Sequence, residues 1–264
     1  MEYWLWLSRL PYIGPKTANR LLEYFGEPKR VYCAEPWEFR KVKGITNRQV
    51  ESIINNKSLE EIWKIIDSCQ KDNISILLKS DVQYPTHAKI LEDAPIVLYY
   101  KGHIEDRKET VAIVGARRCS QEIKFYTIEL AERYTKKGST IISGMAKGID
   151  SYAHTACSNI GGYTIAVLGN GLDICYPSEH KKLMDCISDN GLLLSEYPPG
   201  IKPTKYTFPQ RNRLISAWSE HIVVIAPGKG SGALITAEFA RKYGRKLDII
   251  LQEDILSQHN IQYR

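Results

Sequence analysis

Val111-Ala112-Ile113-Val114-Gly115-Ala116-Arg117-Arg118 opens the stretch that decides the fold, VAIVGARRCSQEIKFYTIELAERYTKKGSTIISGMAKGIDSYAH, which runs to His154. The continuous apolar run before Gly115 reads as a buried parallel strand. Arg117 and Arg118 follow in the turn. A helix begins near Ser120, with Ile123, Ile128, Leu130, Ala131 and Tyr134 at helical spacing, and Gly138 ends it. Ile141-Ile142 is a second strand that passes into Ser143-Gly144-Met145-Ala146-Lys147-Gly148-Ile149-Asp150. Strand, helix and strand make a βαβ unit with a right-handed crossover. Both glycine-bearing turns then lie at the carboxyl ends of adjacent strands, where open α/β sheets bind ligands. Each turn carries a cation beside a helix N-terminus, an arrangement suited to an anion.

Downstream the same alternation continues. Tyr163 to Leu168 is a third strand ending at Gly169-Asn170-Gly171, and a helix follows over roughly 179–188. Leu192 to Glu196 is a fourth strand, and a proline-rich connection, Tyr197 to Pro209, leads to Gln210-Arg211-Asn212-Arg213-Leu214-Ile215-Ser216. His221 to Ala226 is a fifth strand, Pro227 to Gly232 precedes a helix over 233–243, and Leu247 to Leu251 is a sixth strand. The expected fold class is α/β: a doubly wound, mostly parallel Rossmann-like sheet.

Upstream, Leu10-Pro11-Tyr12-Ile13-Gly14-Pro15 reads as a helix end, a tight turn and a new helix, with Ala18, Leu21, Leu22 and Phe25 on its apolar face. A weaker copy follows at Val42-Lys43-Gly44-Ile45-Thr46 and the helix after it. The two segments resemble helix-hairpin-helix motifs, in which backbone N–H groups touch phosphates without reading sequence. Tyr12 stands where that motif carries a glycine, which favours a small helical packing domain over a DNA contact. Leu59 to Gln70 is a further helix, and Ile74 to Leu78 and Ala94 to Gly102 read as strands at the edge of the main sheet. The expected division is a helical domain over 1–72 and a sheet domain over 73–264 with an edge extension 73–108, softest at His103 to Thr110.

Length and composition are those of a globular protein: 264 residues, 43% hydrophobic and 25% charged. A net charge of +6 permits a polyanionic partner without requiring one. The six cysteines form no CxxC pair and have no histidine at ligand spacing, so no metal site is expected. An acidic second residue and the lack of a small-residue cleavage site argue against a signal peptide. No window approaches the roughly 18 apolar residues of a membrane span. A cytoplasmic protein with no membrane partner is the expectation.

The ligand groups gather in the turns: Gly115, Arg117, Arg118, Ser143, Gly144, Lys147, Gly169, Arg211, Asn212, Arg213, Lys229, Ser231 and Thr236. No GxGxxG follows the first strand and no GxxxxGK[ST] occurs, which disfavours a dinucleotide or Walker-type site, so no cofactor is expected. Arginines in such turns fork onto phosphate diesters. Phe208 either stacks on a base beside Arg211 or is plain core, and Arg213 either joins it or pairs with a carboxylate. Asp150 and His154, four apart, are an acid–base pair or, in the favoured reading, a helix cap and a packed histidine.

At these residues the chain resembles the DNA-processing protein A (DprA, or Smf) family. The matching segments are Tyr84-Pro85, Leu98-Tyr99-Tyr100-Lys101-Gly102, VAIVGARR, SGMAKGIDSYAH, AVLGNGLDICYP, LLLSEYPPG, FPQRNRLIS and SGALITAEFARKYGR, in order from about residue 81 to residue 245. The resemblance implies a dimer, without established catalytic activity, that binds single-stranded DNA and loads RecA onto it in natural transformation. It implies that Gly115, Arg117, Ser143, Gly144, Lys147, Phe208, Arg211 and Asn212 line the strand-binding pocket, and that the dimer forms near the last helix. Four features depart from the family: Ala226-Pro227 stands where many members have a glutamate-alanine pair, the usual proline-glycine after the sixth strand is missing, the tail Gln252 to Arg264 matches nothing, and the C-terminal winged-helix domain of many members is absent. The alternative is a hydrolase cleaving nucleoside monophosphates, of the lysine-decarboxylase-like Rossmann type, to which Pro227-Gly228-Lys229-Gly230-Ser231-Gly232 and Glu238 bear a loose likeness. In that reading the glutamate polarises a ribose hydroxyl while glycine amides hold the phosphate.

Overall fold

A computed structural model describes residues 1–105 and 109–262, with side chains as far as residue 257. The chain divides into two compact units, Met1–Leu98 and 99–264. The expected soft boundary at His103 to Thr110 lies partly outside the described residues.

The first unit holds helices α1 (Glu2–Arg9), α2 (Pro15–Phe25), α3 (Pro28–Cys33), α4 (Asn47–Asn55) and α5 (Glu60–Lys71), a 3₁₀ turn at Glu38–Lys41, a short strand β1 (Ser75–Leu78) and a single turn α6 (Thr86–Lys89). Leu5, Leu7, Leu21, Phe39 and Ile53 are fully buried and form its core. The division falls after Leu98, not after residue 72 as the sequence led us to expect. Hydrogen bonds hold this segment to the helices: Ile74 N–H donates to the Cys69 carbonyl at 2.8 Å, and the Asn19 amide of α2 donates to the carbonyls of Glu92 at 3.1 Å and Ala94 at 2.8 Å. Segment 73–98 is thus tied to the helices. The hairpin repeat is visible in the backbone. Tyr12 and Gly44 occupy matching positions, with φ of +64° and +75°. Tyr12 therefore adopts the left-handed conformation of the glycine it replaces, held there by Gln49 Nε2 donating to its carbonyl at 3.1 Å.

The second unit contains β2 (Val97–Gly102, from Tyr99 on), β3 (Thr110–Gly115), α7 (Gln121–Lys136), β4 (Thr140–Ser143), α8 (Ile149–Asn159), β5 (Thr164–Leu168), α9 (Lys181–Asn190), β6 (Leu192–Ser195), α10 (Thr207–Trp218), β7 (His221–Ile225), α11 (Gly232–Lys242), β8 (Lys246–Ile250) and α12 (Gln252–Gln262). Its strand order is β2-β6-β5-β4-β3-β7-β8. All pairs are parallel except β2 with β6, where Tyr99 faces Ser195. This is the doubly wound, mostly parallel sheet that the alternation implied. Ile123, Leu130, Ala153 and Ala156 of α7 and α8 bury against Val111, Ile113 and Ile141 on one face. Helices α10 and α11 pack on each other and on the strands. From β3 the chain winds outward one way through β4, β5 and β6, then returns to place β7 on the other side, so the β3–β7 boundary is the topological switch point.

Two elements differ from the sequence reading. Helix α10 replaces the end of the proline-rich connection. Its residues Arg211 to Trp218 are buried on every side, so no amphipathic stripe marks it, and Pro209 sits in its first turn where proline is tolerated. The tail is also ordered as α12, and Ile255, 2% exposed, joins the core cluster of α7 and α8. Among the described residues no helix is long and apolar enough to cross a membrane. Replacing Ile255 by alanine should cost about 2–5 kcal/mol, as for other buried large-to-small changes, read as a lower urea midpoint with an unchanged slope. An unchanged midpoint would mean that α12 adds nothing to the core.

Candidate functional site

The carboxyl ends of β3, β4, β5 and β7 meet the start of α10, and two adjoining cavities open there. The larger, about 640 Å³, lies at the β3–β7 switch point and is lined by Gly115, Arg117, Lys205, Arg211, Asn212, Ser231 and Thr236 among others. The smaller is walled by Gly144, Lys147, Gly169, Asn170, Tyr176 and Pro177. Arg117, Ala146, Phe208 and Arg211 belong to both.

Arg211 is the buried member, 6% exposed. Its Nη1 donates to the Val167 carbonyl at 2.9 Å and to the Gly144 carbonyl, and its Nε donates to Asn212 Oδ1 at 3.0 Å. Asn212 in turn donates through Nδ2 to the Gly232 carbonyl at 2.9 Å. One guanidinium thus joins the ends of β4 and β5 to α10, and its neighbour joins α10 to the first turn of α11. Burial lowers the Arg211 pKa, the nearby Arg117 charge adds to this, and Asp150 opposes it. Asp150 accepts from the N–H of Gly144 at 3.1 Å and of Ala146 at 3.4 Å. Burial raises its pKa, against the pull of Arg211 and of backbone N–H groups at Ala146, Gly144 and Gly115. Gly144 has no alternative here. A Cβ on it would stand 2.1 Å from Arg211 Nη1 and 2.8 Å from Asp150 Oδ2. Gly115 is equally constrained, since its Cβ would lie 2.1 Å from the Ile225 carbonyl oxygen.

Above this floor the groups are accessible. Arg117 is exposed, and its Cζ lies 5.9 Å from the centre of the half-buried Phe208 ring, while the Arg211 Cζ lies 5.8 Å from the same ring. Tyr176, 45% exposed, sits 5.6 Å from Phe208, ring centre to ring centre. Phe208 is therefore wall, not core. Lys147 is exposed at the mouth of the smaller cavity and pairs with Glu179 at 2.5 Å. The Glu179 pKa is lowered chiefly by that hydrogen bond.

Of the nine residues expected in the site, Gly115, Arg117, Gly144, Lys147, Phe208, Arg211 and Asn212 line the cavities. Ser143 and Arg118 do not. The Ser143 hydroxyl is fully buried and donates to the Ile113 carbonyl at 2.6 Å, so it ties β4 to β3. Arg118 is exposed outside both cavities. Arg213 pairs with Glu196 at 2.5 Å beneath the surface, the carboxylate reading of that residue. Lys205 and Tyr176 were not singled out in the sequence. Each comes from a connecting loop, with no periodicity to mark it.

The Asp150–His154 spacing gives neither an acid–base pair nor a cap. The helix begins after Gly148 with no side-chain cap, and Asp150 instead braces the preceding loop. His154 is buried with Nδ1 2.7 Å from Thr164 Oγ1, whose own hydrogen goes to the Ile141 carbonyl at 2.7 Å, so Nδ1 carries the proton. Burial, with the Arg211 charge second, lowers its pKa from 6.5 to about 3.

The family described as DNA recombination-mediator protein A matches residues 75–261. This chain belongs to that family. The match runs through α12, so the tail expected to lie outside the resemblance is covered by it. The protein Smf of Synechocystis is 36% identical to this chain over 248 residues, which are 92% of this chain and 62% of that protein. DNA processing protein DprA of Streptococcus pneumoniae is 43% identical over 163 residues, 61% of this chain and 57% of that protein. The chain therefore spans about six-tenths of the length of each. The X-ray structure of the pneumococcal protein superposes with a TM-score of 0.78 at 31% identity, covering 100% of this chain and 93% of that one. DNA processing protein A of Helicobacter pylori, whose structure addresses a single-stranded DNA binding mode, superposes with a TM-score of 0.62 at 35% identity, over 68% of this chain and 81% of that one.

The histidine provides a pH test. His154 takes a proton near pH 6.5 when unfolded and only near pH 3 when folded. Between these values the unfolded state holds more protons, so stability falls as pH drops, by up to about 1.4 kcal/mol per pH unit from this group. Asp150, with its pKa raised, works in the opposite direction. Unfolding free energies from pH 7 to 4 should show a shallower acid loss for His154→Gln than for the parent, and the His154 ring signal should not titrate above pH 4. A ring that titrates near 6.5 would contradict its burial as neutral imidazole.

Proposed function

We propose that this chain binds single-stranded DNA along the carboxyl edge of its sheet. It acts as a non-enzymatic recombination mediator that protects incoming strands and passes them to RecA in natural transformation. The reading rests on one observation: the half-buried Phe208 ring lies within 6 Å of both the Arg117 and the Arg211 guanidinium, at the switch point of the sheet. A flat apolar face bordered by cations takes a base on the ring and its phosphate on the charge, independent of sequence. Gly115 and Gly144 keep the backbone open beside it, and Lys147 extends the charge along the smaller cavity. The relatives named for DNA processing and the Helicobacter pylori structure support the same ligand. Action in the cytoplasm as a homodimer, formed near α11, completes the proposal.

The hydrolase reading gains nothing from the geometry. Glu238 is exposed and does not line the cavity beside Ser231, so it is not placed to polarise a ribose held there.

Filter binding to oligo(dT) across a salt series should give affinity that falls with salt, with little sequence preference and weaker binding to duplex. Phe208→Ala should weaken binding by about 1–3 kcal/mol, roughly 5- to 150-fold, the worth of one base stack. Arg117→Ala should reduce the logarithmic salt slope by about 0.7, the share of one phosphate on a single strand. Release of free base from nucleotides with no affinity for oligo(dT) would overturn the proposal.

A further inference from the structure

The first unit carries a second cationic face that the crevice of the sheet does not use. Arg20 of α2, Arg40 and Lys41 of the 3₁₀ turn, and Lys43 of the second hairpin are all exposed. They surround two adjoining open cavities of about 640 and 470 Å³, which share the wall Val42, Lys43 and Gly44. Among the described residues none of the four is held in an ion pair with a carboxylate. Arg20 reaches only the Gly44 carbonyl at 3.5 Å, and Lys41 lies 5.1 Å over the ring of Trp37. The carboxylates in the two walls are Glu23 and Glu51, so positive charge prevails. Two large aromatic rings are left in water beside these charges: Trp37 is 57% exposed and Tyr24 47% exposed.

We propose that this face is a second polynucleotide-binding surface, taking the phosphodiester backbone of the strand on Arg20, Arg40, Lys41 and Lys43 with Trp37 and Tyr24 as sequence-tolerant stacking partners. Unpaired cations around an open trough favour a polyanion, and exposed rings among them favour one that carries bases. Trp37 has Lys41 over one face and Tyr24 meets Phe25 edge-on, and an acidic protein surface would use the charges but leave the remaining exposed area of both rings unused. The turn that presents Lys43 is built to stay open: Gly44 has φ of +75°, and the next helix is closed by its own capping box between Thr46 and Gln49. The side chains at the trough are thus not needed for the helix ends. The inference concerns a surface separate from the Phe208 site, and its test rests on the proposed function in taking that site as the one a short strand fills first.

The test uses the whole chain. Arg40→Ala, Lys41→Ala and Lys43→Ala are combined, and binding is measured by filter retention with a short oligo(dT) of about six nucleotides, enough for one binding site, and with a long oligo(dT) of about forty. Loss of three phosphate contacts should lower the logarithmic salt slope for the long strand by about 2 and leave the short strand unaffected. The charge-conserving set Arg40→Lys, Lys41→Arg and Lys43→Arg should keep the parent slope, and Lys43→Glu alone should weaken the long strand further than Lys43→Ala. Quenching of Trp37 emission by the long strand, lost in Trp37→Phe, supports stacking. An unchanged slope and unchanged affinity for the long strand in the folded triple variant would overturn the inference. That result leaves the Phe208 reading intact, whereas failure of Arg117→Ala and Phe208→Ala to affect the short strand counts against that reading alone.

Discussion

A buried guanidinium holds the functional edge of this protein together. Arg211 donates from α10 to carbonyls at the ends of two neighbouring strands, Gly144 after β4 and Val167 in β5. Both carbonyls accept from the one nitrogen Nη1, while Nε is left to donate to Asn212 Oδ1 at 3.0 Å. The cost of burying the charge is offset by hydrogen bonds on Nη1 and Nε and by the field of Asp150, which braces the same loop through the N–H groups of Gly144 and Ala146. Removing any one member leaves a buried charge or buried carbonyls without a partner, the expensive half of such an arrangement.

The candidate site separates buried charges from accessible ones. Arg211, Asn212 and Asp150 are nearly inaccessible and fix the loops, while Arg117, Lys147 and the Phe208 and Tyr176 rings face outward on them. The backbone shows the same tension. Met145 and Ala226, each just past a strand end at this edge, have φ of +59° and +45°. Non-glycine residues there cost on the order of 1–2 kcal/mol, and the surrounding bonds hold them in place. The Ala226 N–H donates to the Ile250 carbonyl at 2.8 Å, and the Met145 carbonyl accepts from His180 Nδ1 at 3.0 Å.

Much of the fold was legible because the buried strands β3, β4, β5 and β7 are continuous apolar runs closed by glycine or a turn, and the helices α7 and α11 carry helical spacing. Helix α10 was not legible. Every residue from Arg211 to Trp218 is buried, polar ones included, so the pattern that reveals a surface helix is missing. The site was legible as a set of glycines and cations at strand ends, but their roles were not. Sequence spacing does not distinguish an accessible arginine from a structural one, and Arg117, Arg211 and Arg213 turn out to be exposed, internally bonded and ion-paired in turn. Ser143 shows the same limit, since a serine after a strand reads as a ligand group until its hydroxyl is seen bonded to Ile113. The division at Leu98 depends on the Asn19 bonds to residues more than seventy positions away, which no local pattern encodes.

The claim that Arg211 positions the edge is tested most directly by Arg211→Lys, which keeps the charge and removes the separate Nε donor to Asn212. The affinity of the folded variant for oligo(dT) is the quantity to measure. Loss of charged hydrogen bonds worth about 1.5–3 kcal/mol should loosen the β4 and β5 loops and lower affinity by about tenfold or more at fixed salt. Parent-level affinity in a lysine variant that melts cooperatively would show that charge alone suffices, and would contradict the account.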